Sequence, residues 1–230
     1  MHSAPIIAID GPAGSGKSTA AKNLARALGF TYIDTGAMYR AVTWKAIKNG
    51  IDLDNEPALV DLTRDISLRL EPENSATRVF VDGTEVTDAI RNEAVSRQVY
   101  HVAAEPRCRE LIVRKQREMG KNGGVVAEGR DIGTVVFPDA ELKIFLSAEP
   151  GERARRRCEQ LAEAGMHPDY NDVLREIELR DKRDAEREAS PLRKAPDAVA
   201  VDNTGCTAEE TLEKLLDVVR RSLPGLNVRR

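Results

Sequence analysis

Short apolar runs alternate with longer stretches of helical period along this chain. The first run, Pro5-Ile6-Ile7-Ala8-Ile9-Asp10, is β-branched and has the size of a buried strand. Four more follow: Thr31 to Asp34, Val125 to Glu128, Leu142 to Leu146 and Ala198 to Asp202. Helical stretches separate most of them. One, Ser18 to Leu28, carries Ala, Leu, Lys and Arg at helical spacing and stops at Gly29. This alternation predicts right-handed crossovers and a parallel five-stranded sheet flanked by helices, with ligands at the carboxyl ends of the strands. Asp10, Asp34, Glu128 to Asp131 and Asp202 all fall at such ends.

One region has a different period. Ile66-Ser67-Leu68-Arg69-Leu70 and Arg78-Val79-Phe80-Val81 alternate at period two, and Asp82-Gly83 then leads into Thr84-Glu85-Val86. Asp-Gly between alternating runs signals a hairpin. A small antiparallel lobe is therefore expected at 63–88, inserted into a core of 1–62 and 89–223, with a loose tail at 224–230.

Directly after the first apolar run stands Gly11-Pro12-Ala13-Gly14-Ser15-Gly16-Lys17-Ser18, a complete G-x-x-x-x-G-K-[ST] string between strand and helix. Its glycines let backbone N–H groups turn inward on phosphate oxygens, and the helix N-terminus adds partial positive charge. Lys17 is expected on the β- and γ-phosphates of ATP and Ser18 on its Mg²⁺. The α/β fold is thus of the P-loop NTPase type.

Bulk properties narrow the setting. The 230 residues are 41% hydrophobic, which suits one domain with an insertion, and 35 basic against 38 acidic residues leave a net charge of −3. That balance gives no general pull toward nucleic acid or membrane. Cys108, Cys158 and Cys206 are odd in number and widely spaced, and His2, His101 and His167 are scattered, so no disulfide framework or zinc site is visible. A reducing cytoplasm fits. No signal-like segment opens the chain, and no apolar stretch approaches the roughly 18 residues of a membrane span.

Arginines carry the second message. Gly36 opens a helix with Arg40 one turn inside it. Gly129 allows a tight turn that sets Arg130 and Asp131 at the rim. Asn171 to Arg187 reads as one helix, whose stripe passes from Val173, Leu174 and Ile177 to Arg180, Asp184 and Arg187. Spacing alone leaves open whether these charges look into a cleft or pair in solvent. Arg153-Ala154-Arg155-Arg156-Arg157 opens another helix. With aromatics at 4% of the chain and none in this run, a nucleic-acid stacking platform is missing. A mobile lid at about 150–187 closing over ATP fits better. Guanidinium forks bind several phosphate oxygens at once, and an acceptor that is already a phosphate needs no His or Cys base.

These residues resemble the bacterial cytidylate kinases, a family of nucleoside monophosphate kinases. The matching strings are IAIDGPAGSGKST, IDTGAMYRA, VAAEPRCRELIVRKQR, EGRDIGTVVFPDAELKIFLSA and RDKRDAERE followed by SPL, with AVAVDNT a weaker match. The resemblance implies phosphoryl transfer from ATP·Mg²⁺ to CMP or dCMP. It implies that Gly11, Pro12, Ala13, Gly14, Ser15, Gly16, Lys17, Ser18 and Thr19 hold ATP, with Arg153 and Arg157 from the lid. Arg40, Arg130 and Arg187 would hold the CMP phosphate and the group in transfer. Arg180 and Asp184 would line the acceptor site, Asp184 on the ribose, and Arg109 and Asp131 would read the cytosine. Thr35 and Tyr100 join the CMP site in place of family serines. The expected partners are small molecules, with no nucleic acid or membrane, and the protein is expected to be a monomer. A UMP, shikimate or gluconate kinase is the competing reading. The GTP switch class lacks support, because no Asn-Lys-x-Asp string occurs.

Overall fold

The computed structural model describes residues 4–73, 76–163 and 165–226, without the side chains of 72–76. Five strands, β1 (Ala4–Asp10), β2 (Thr31–Asp34), β6 (Gly123–Gly129), β7 (Leu142–Ser147) and β8 (Val199–Asp202), form one parallel sheet in the order β2-β6-β1-β7-β8. Each begins within two residues of the expected run. β1 lies between β6 and β7, so the loop after β1 opens at the point where the chain changes direction across the sheet.

The strands are apolar on both faces because helices cover both. Ile7 and Ile9 of β1 pack with Leu24 of α1 (Lys17–Leu28) and Leu215 of α8 (Ala208–Ser222). Ala8, pointing the other way, packs with Val125, Ala127 and Val113 of α5 (Pro106–Gly120). Each fully buried Ile of this kind contributes about 1.5–3 kcal/mol relative to exposure.

A separate antiparallel sheet joins β3 (Leu68–Glu73), β4 (Ala76–Val81) and β5 (Thr84–Glu85). β3 starts two residues later than the alternation implied, because Ile66 still donates its N–H to Leu62 and ends α3 (Glu56–Asp65). Asp82 (φ 49°) and Gly83 (φ 79°) are both left-handed and bring Val81 opposite Thr84, as a two-residue hairpin requires. Val79 and Val81 share a core with Met38 and Val42 of α2 (Thr35–Lys48), Leu59 of α3, Val102 of α4 (Glu93–Ala104) and Ile112 of α5. The other face of β4 presents Phe80, over which the Arg69 and Arg78 guanidiniums lie at 4.2 and 5.0 Å.

Helices α6 (Pro150–Glu163) and α7 (Tyr170–Glu186) form a small cluster of their own around Ala154, Val173 and Ile177. The last residues of the expected tail, from 227 on, lie outside the described residues. No helix among the described residues is long and apolar enough to cross a membrane.

Candidate active site

The phosphate loop runs from Gly11 to the first turn of α1, with Gly14 (φ 74°) and Gly16 (φ 80°) in the left-handed region that only glycine enters cheaply. Lys17 is buried and donates to the Pro12 carbonyl at 2.6 Å and to Ser15 Oγ at 3.4 Å. Burial, with the charges of Arg130 and Arg180, pushes its pKa down to about 7 against the opposing pull of Glu128. Ser18 donates to Glu128 Oε1 at 2.6 Å, and buried Tyr32 donates to the same oxygen at 3.1 Å. Glu128, which the motif reading did not assign to the site, is the last residue but one of β6, beside β1.

Three carboxylates fix the cationic side of the cleft. Asp34 caps α2, accepting from Ala37 N at 2.9 Å, while its second oxygen pairs with Arg40 at 2.8 Å. Asp184 accepts from Arg130 Nε at 2.8 Å; burial works against its charge, but Arg130, Arg180 and Arg187 bring its pKa below the ordinary value. Asp131 is paired with buried Arg109 at 2.5 Å and lies 3.7 Å from Arg187. So the ionic stripe of α7 faces the cleft, the alternative that spacing had left open. Arg180 has no ion pair among the described residues. Arg180 is exposed to solvent, yet the surrounding protein and then the charge of Arg130 lower its pKa to about 10, with Arg40 and Arg157 adding repulsion. Arg40 Nε, Arg109 Nε and Arg187 Nη2 are buried donors with no acceptor at hydrogen-bond distance among the described residues. The cluster therefore holds an excess of cationic donors, as a site for phosphate would.

The expected roles of three residues change in structural terms. Gly129 has no positive φ and makes no tight turn. It is small because a Cβ there would lie 2.6 Å from Thr35 Oγ1, which donates to the Glu128 carbonyl at 2.7 Å. The chain turns after it, in a π-type turn at Ile132–Val136, and Asp10 holds that turn by accepting from Ile132 N at 2.7 Å and Gly133 N at 2.8 Å. Burial raises the Asp10 pKa to about 6 in spite of those two bonds. Arg153 is buried, donating to the Ala148 carbonyl at 2.9 Å and the Ala13 carbonyl at 3.0 Å and pairing with Asp181 at 2.6 Å. It thus grips the backbone of the phosphate loop. Tyr100 is 44% exposed, stacks on His101 at 3.9 Å and lies 5.1 Å under the Arg183 guanidinium, bridging α4 and α7. Its ring, not its hydroxyl, makes these contacts.

The arginine run of α6 is no basic patch. Arg155 pairs with Glu152 and Glu159, and Arg156 with Glu152 at 2.8 Å and with the Asn203 carbonyl at 2.7 Å. Arg157 stays exposed on the side of Arg180.

A family model described as cytidylate kinase matches residues 7–221. The curated cytidylate kinase of Geobacillus kaustophilus is 50% identical over 217 residues, covering 94% of this chain and 97% of that protein. A bifunctional pantoate ligase/cytidylate kinase of Prochlorococcus marinus is 47% identical over 226 residues, 97% of this chain but 44% of that longer protein. A solved structure from Chloroflexus aurantiacus, 13% identical, shares the fold at a TM-score of 0.50 and covers 99% of this chain and 100% of its own. With a phosphate loop, a facing arginine cluster and half of its residues shared with a protein of the same extent, the chain belongs to the cytidylate kinase family.

Proposed function

We propose that this cytidylate kinase family protein moves the γ-phosphoryl group of ATP onto CMP or dCMP, giving ADP and the diphosphate. The observation that carries the reading is the convergence of cations in one cleft: Arg40, Arg109, Arg130, Arg180 and Arg187 join Lys17 among five carboxylates, Asp10, Asp34, Glu128, Asp131 and Asp184, and Arg180 is left without an ion pair among the described residues. Backbone amides of 11–19 and Lys17 grip the triphosphate. Arg40, Arg130 and Arg187 hold the CMP phosphate in line with it, and unpaired Arg180 lies on the group in transfer. A phosphate oxygen of CMP is already anionic, so no side chain need take a proton at the attacking atom. Asp184 keeps Arg130 in place and offers a carboxylate oxygen to a ribose hydroxyl. Asp131 accepts from the cytosine 4-amino group while Arg109 donates to the ring acceptors.

Ser18 and Glu128 are hard oxygen ligands meeting at 2.6 Å, and they suit a Mg²⁺ that arrives on ATP. Such an ion neutralises charge on the β- and γ-oxygens. Residues 63–88 and the α6–α7 lid would close over the pair of substrates and keep water from the γ-phosphate, with exposed Arg157 entering from the lid.

The reading is tested by ADP release from ATP·Mg²⁺ with CMP, dCMP, UMP, shikimate and gluconate. CMP and dCMP are expected to turn over fastest, with slow release from ATP alone; faster turnover on an alcohol acceptor overturns it.

Lys17 supplies a pH signature. Its pKa of about 7 in the free site rises when a triphosphate arrives. At pH 8 the free amine is mostly neutral, so ATP·Mg²⁺ binding should take up close to ~1 proton, and affinity should fall as pH rises through about 7 and above. Calorimetry in buffers of different ionisation enthalpy measures this uptake. Heats that do not depend on the buffer contradict it.

A further inference from the structure

Asn203 sits in the turn between β8 and α8 and belongs to none of the substrate contacts above. It is 2% exposed. Its backbone is fixed from two sides: its N–H donates to the Ser147 carbonyl at 2.9 Å, and its own carbonyl receives Cys206 N at 3.0 Å and Arg156 Nη2 at 2.7 Å. Its side chain then reaches across to the phosphate loop. Nδ2 donates to the Ser15 carbonyl at 3.0 Å, and Oδ1 receives Arg156 Nη1 at 3.4 Å.

A loop that aims N–H groups at an anion must turn carbonyls away from it, and buried carbonyls need donors. Here the carbonyls with a partner are served by α1, by α6 and by the turn between β8 and α8. Lys17 Nζ takes Pro12, Arg153 of α6 takes Ala13, Asn203 takes Ser15, and Ala20 N takes Gly16. The Ser15 bond has a particular consequence. The Ser15 C=O and the Gly16 N–H belong to one planar trans peptide, so they point in opposite directions. Fixing the carbonyl toward Asn203 fixes the Gly16 N–H toward the inside of the loop.

We propose that Asn203 is a positioning residue for the ATP phosphates. It acts through the Ser15–Gly16 peptide without touching the nucleotide, and through Arg156 it ties the set of that peptide to the lid helix α6. The inference rests on reading residues 11–19 as the ATP loop. It does not depend on which monophosphate is the acceptor.

Asn203→Asp removes the donor and keeps the shape, placing an acceptor against the Ser15 carbonyl while still suiting Arg156. Asn203→Ser withdraws the amide entirely. Affinity for ATP·Mg²⁺ and for ADP, measured by calorimetry on folded protein, is expected to fall about tenfold in each, the equivalent of one lost hydrogen bond. The KM for CMP should stay within about twofold, since that site is built from other elements. A purely structural part would lower Tm and leave the affinity of the folded fraction unchanged. Unchanged ATP affinity, or equal weakening toward ATP and CMP, overturns the proposal. Should the Asp variant fail to fold, the Ser variant decides by the same comparison. A parent protein that binds no ATP would instead overturn the loop reading itself, so the two failures are distinguishable.

Discussion

Replacing Lys17 with Met or Ala is expected to lower kcat/KM by about 10³-fold or more while leaving the KM for CMP nearly unchanged. The amine is buried at the mouth of the loop, where its charge meets low dielectric and would act strongly on the β- and γ-oxygens of a bound triphosphate as they take on charge. In the free protein that same position is unfavourable. Burial and two neighbouring guanidiniums push against the ammonium, and what holds it is the charge of Glu128 and Asp10, the Pro12 carbonyl at 2.6 Å and Ser15 Oγ at 3.4 Å. Removing the charge relieves this repulsion, so Lys17→Met should have a Tm equal to or above that of the parent. Loss of turnover together with undiminished stability separates a lost phosphate contact from unfolding. Single-turnover transfer from ATP to CMP, with thermal unfolding of the same sample, measures both. A rate within about threefold of the parent removes Lys17 from the mechanism.

The phosphate loop and the strands were legible because each depends on local pattern. The apolar run, the glycine string and the helical period follow one another within the first 28 residues, and Asp82-Gly83 marks its hairpin for the same reason. Which strands become neighbours is not local. β6 comes between β1 and β2 although some 90 residues separate it from β2, and this placement brings Glu128 to Ser18. The arginines were found by type and place, but not their partners. In α6 one continuous run divides by helical phase: Arg153 grips the loop, Arg155 pairs at the surface, Arg156 meets Asn203, and Arg157 remains by Arg180. Gly129 was misread because a missing Cβ can serve a turn or a close approach, and only the approach of Thr35 decides which. Asn203 stands in the AVAVDNT string, but nothing in that string points to its role, which is set by a carbonyl 188 residues away in the chain.

The largest change in selectivity is expected from Asp131→Ala. Asp131 is buried between two cations, with Arg109 at 2.5 Å and Arg187 at 3.7 Å. Its loss leaves two guanidiniums short of a counter-charge in a site where Arg109 Nε and Arg187 Nη2 already have no acceptor at hydrogen-bond distance among the described residues. Breaking such a buried pair costs about 3–5 kcal/mol, so a lower Tm is expected as well. Selectivity is the sharper readout. In the proposed site cytosine would offer a 4-amino donor to the carboxylate, whereas uracil would turn an oxygen toward it and leave a buried charge opposed. Without Asp131 that opposition ends, and the uncovered guanidiniums favour the uracil oxygen. The ratio of kcat/KM for CMP over UMP should then fall about 100-fold, mostly through loss of CMP turnover, with ATP affinity changed far less because Lys17 and the loop are untouched. Asp131→Asn is the informative partner variant: its amide can turn either an oxygen or an NH₂ toward the base, so it should relax selectivity with a smaller loss of stability. Steady-state kinetics on both monophosphates, with ATP binding measured separately, tests each step. A CMP to UMP ratio equal to the parent's would move base reading away from Asp131 and leave the carboxylate with the single task of holding Arg109 and Arg187.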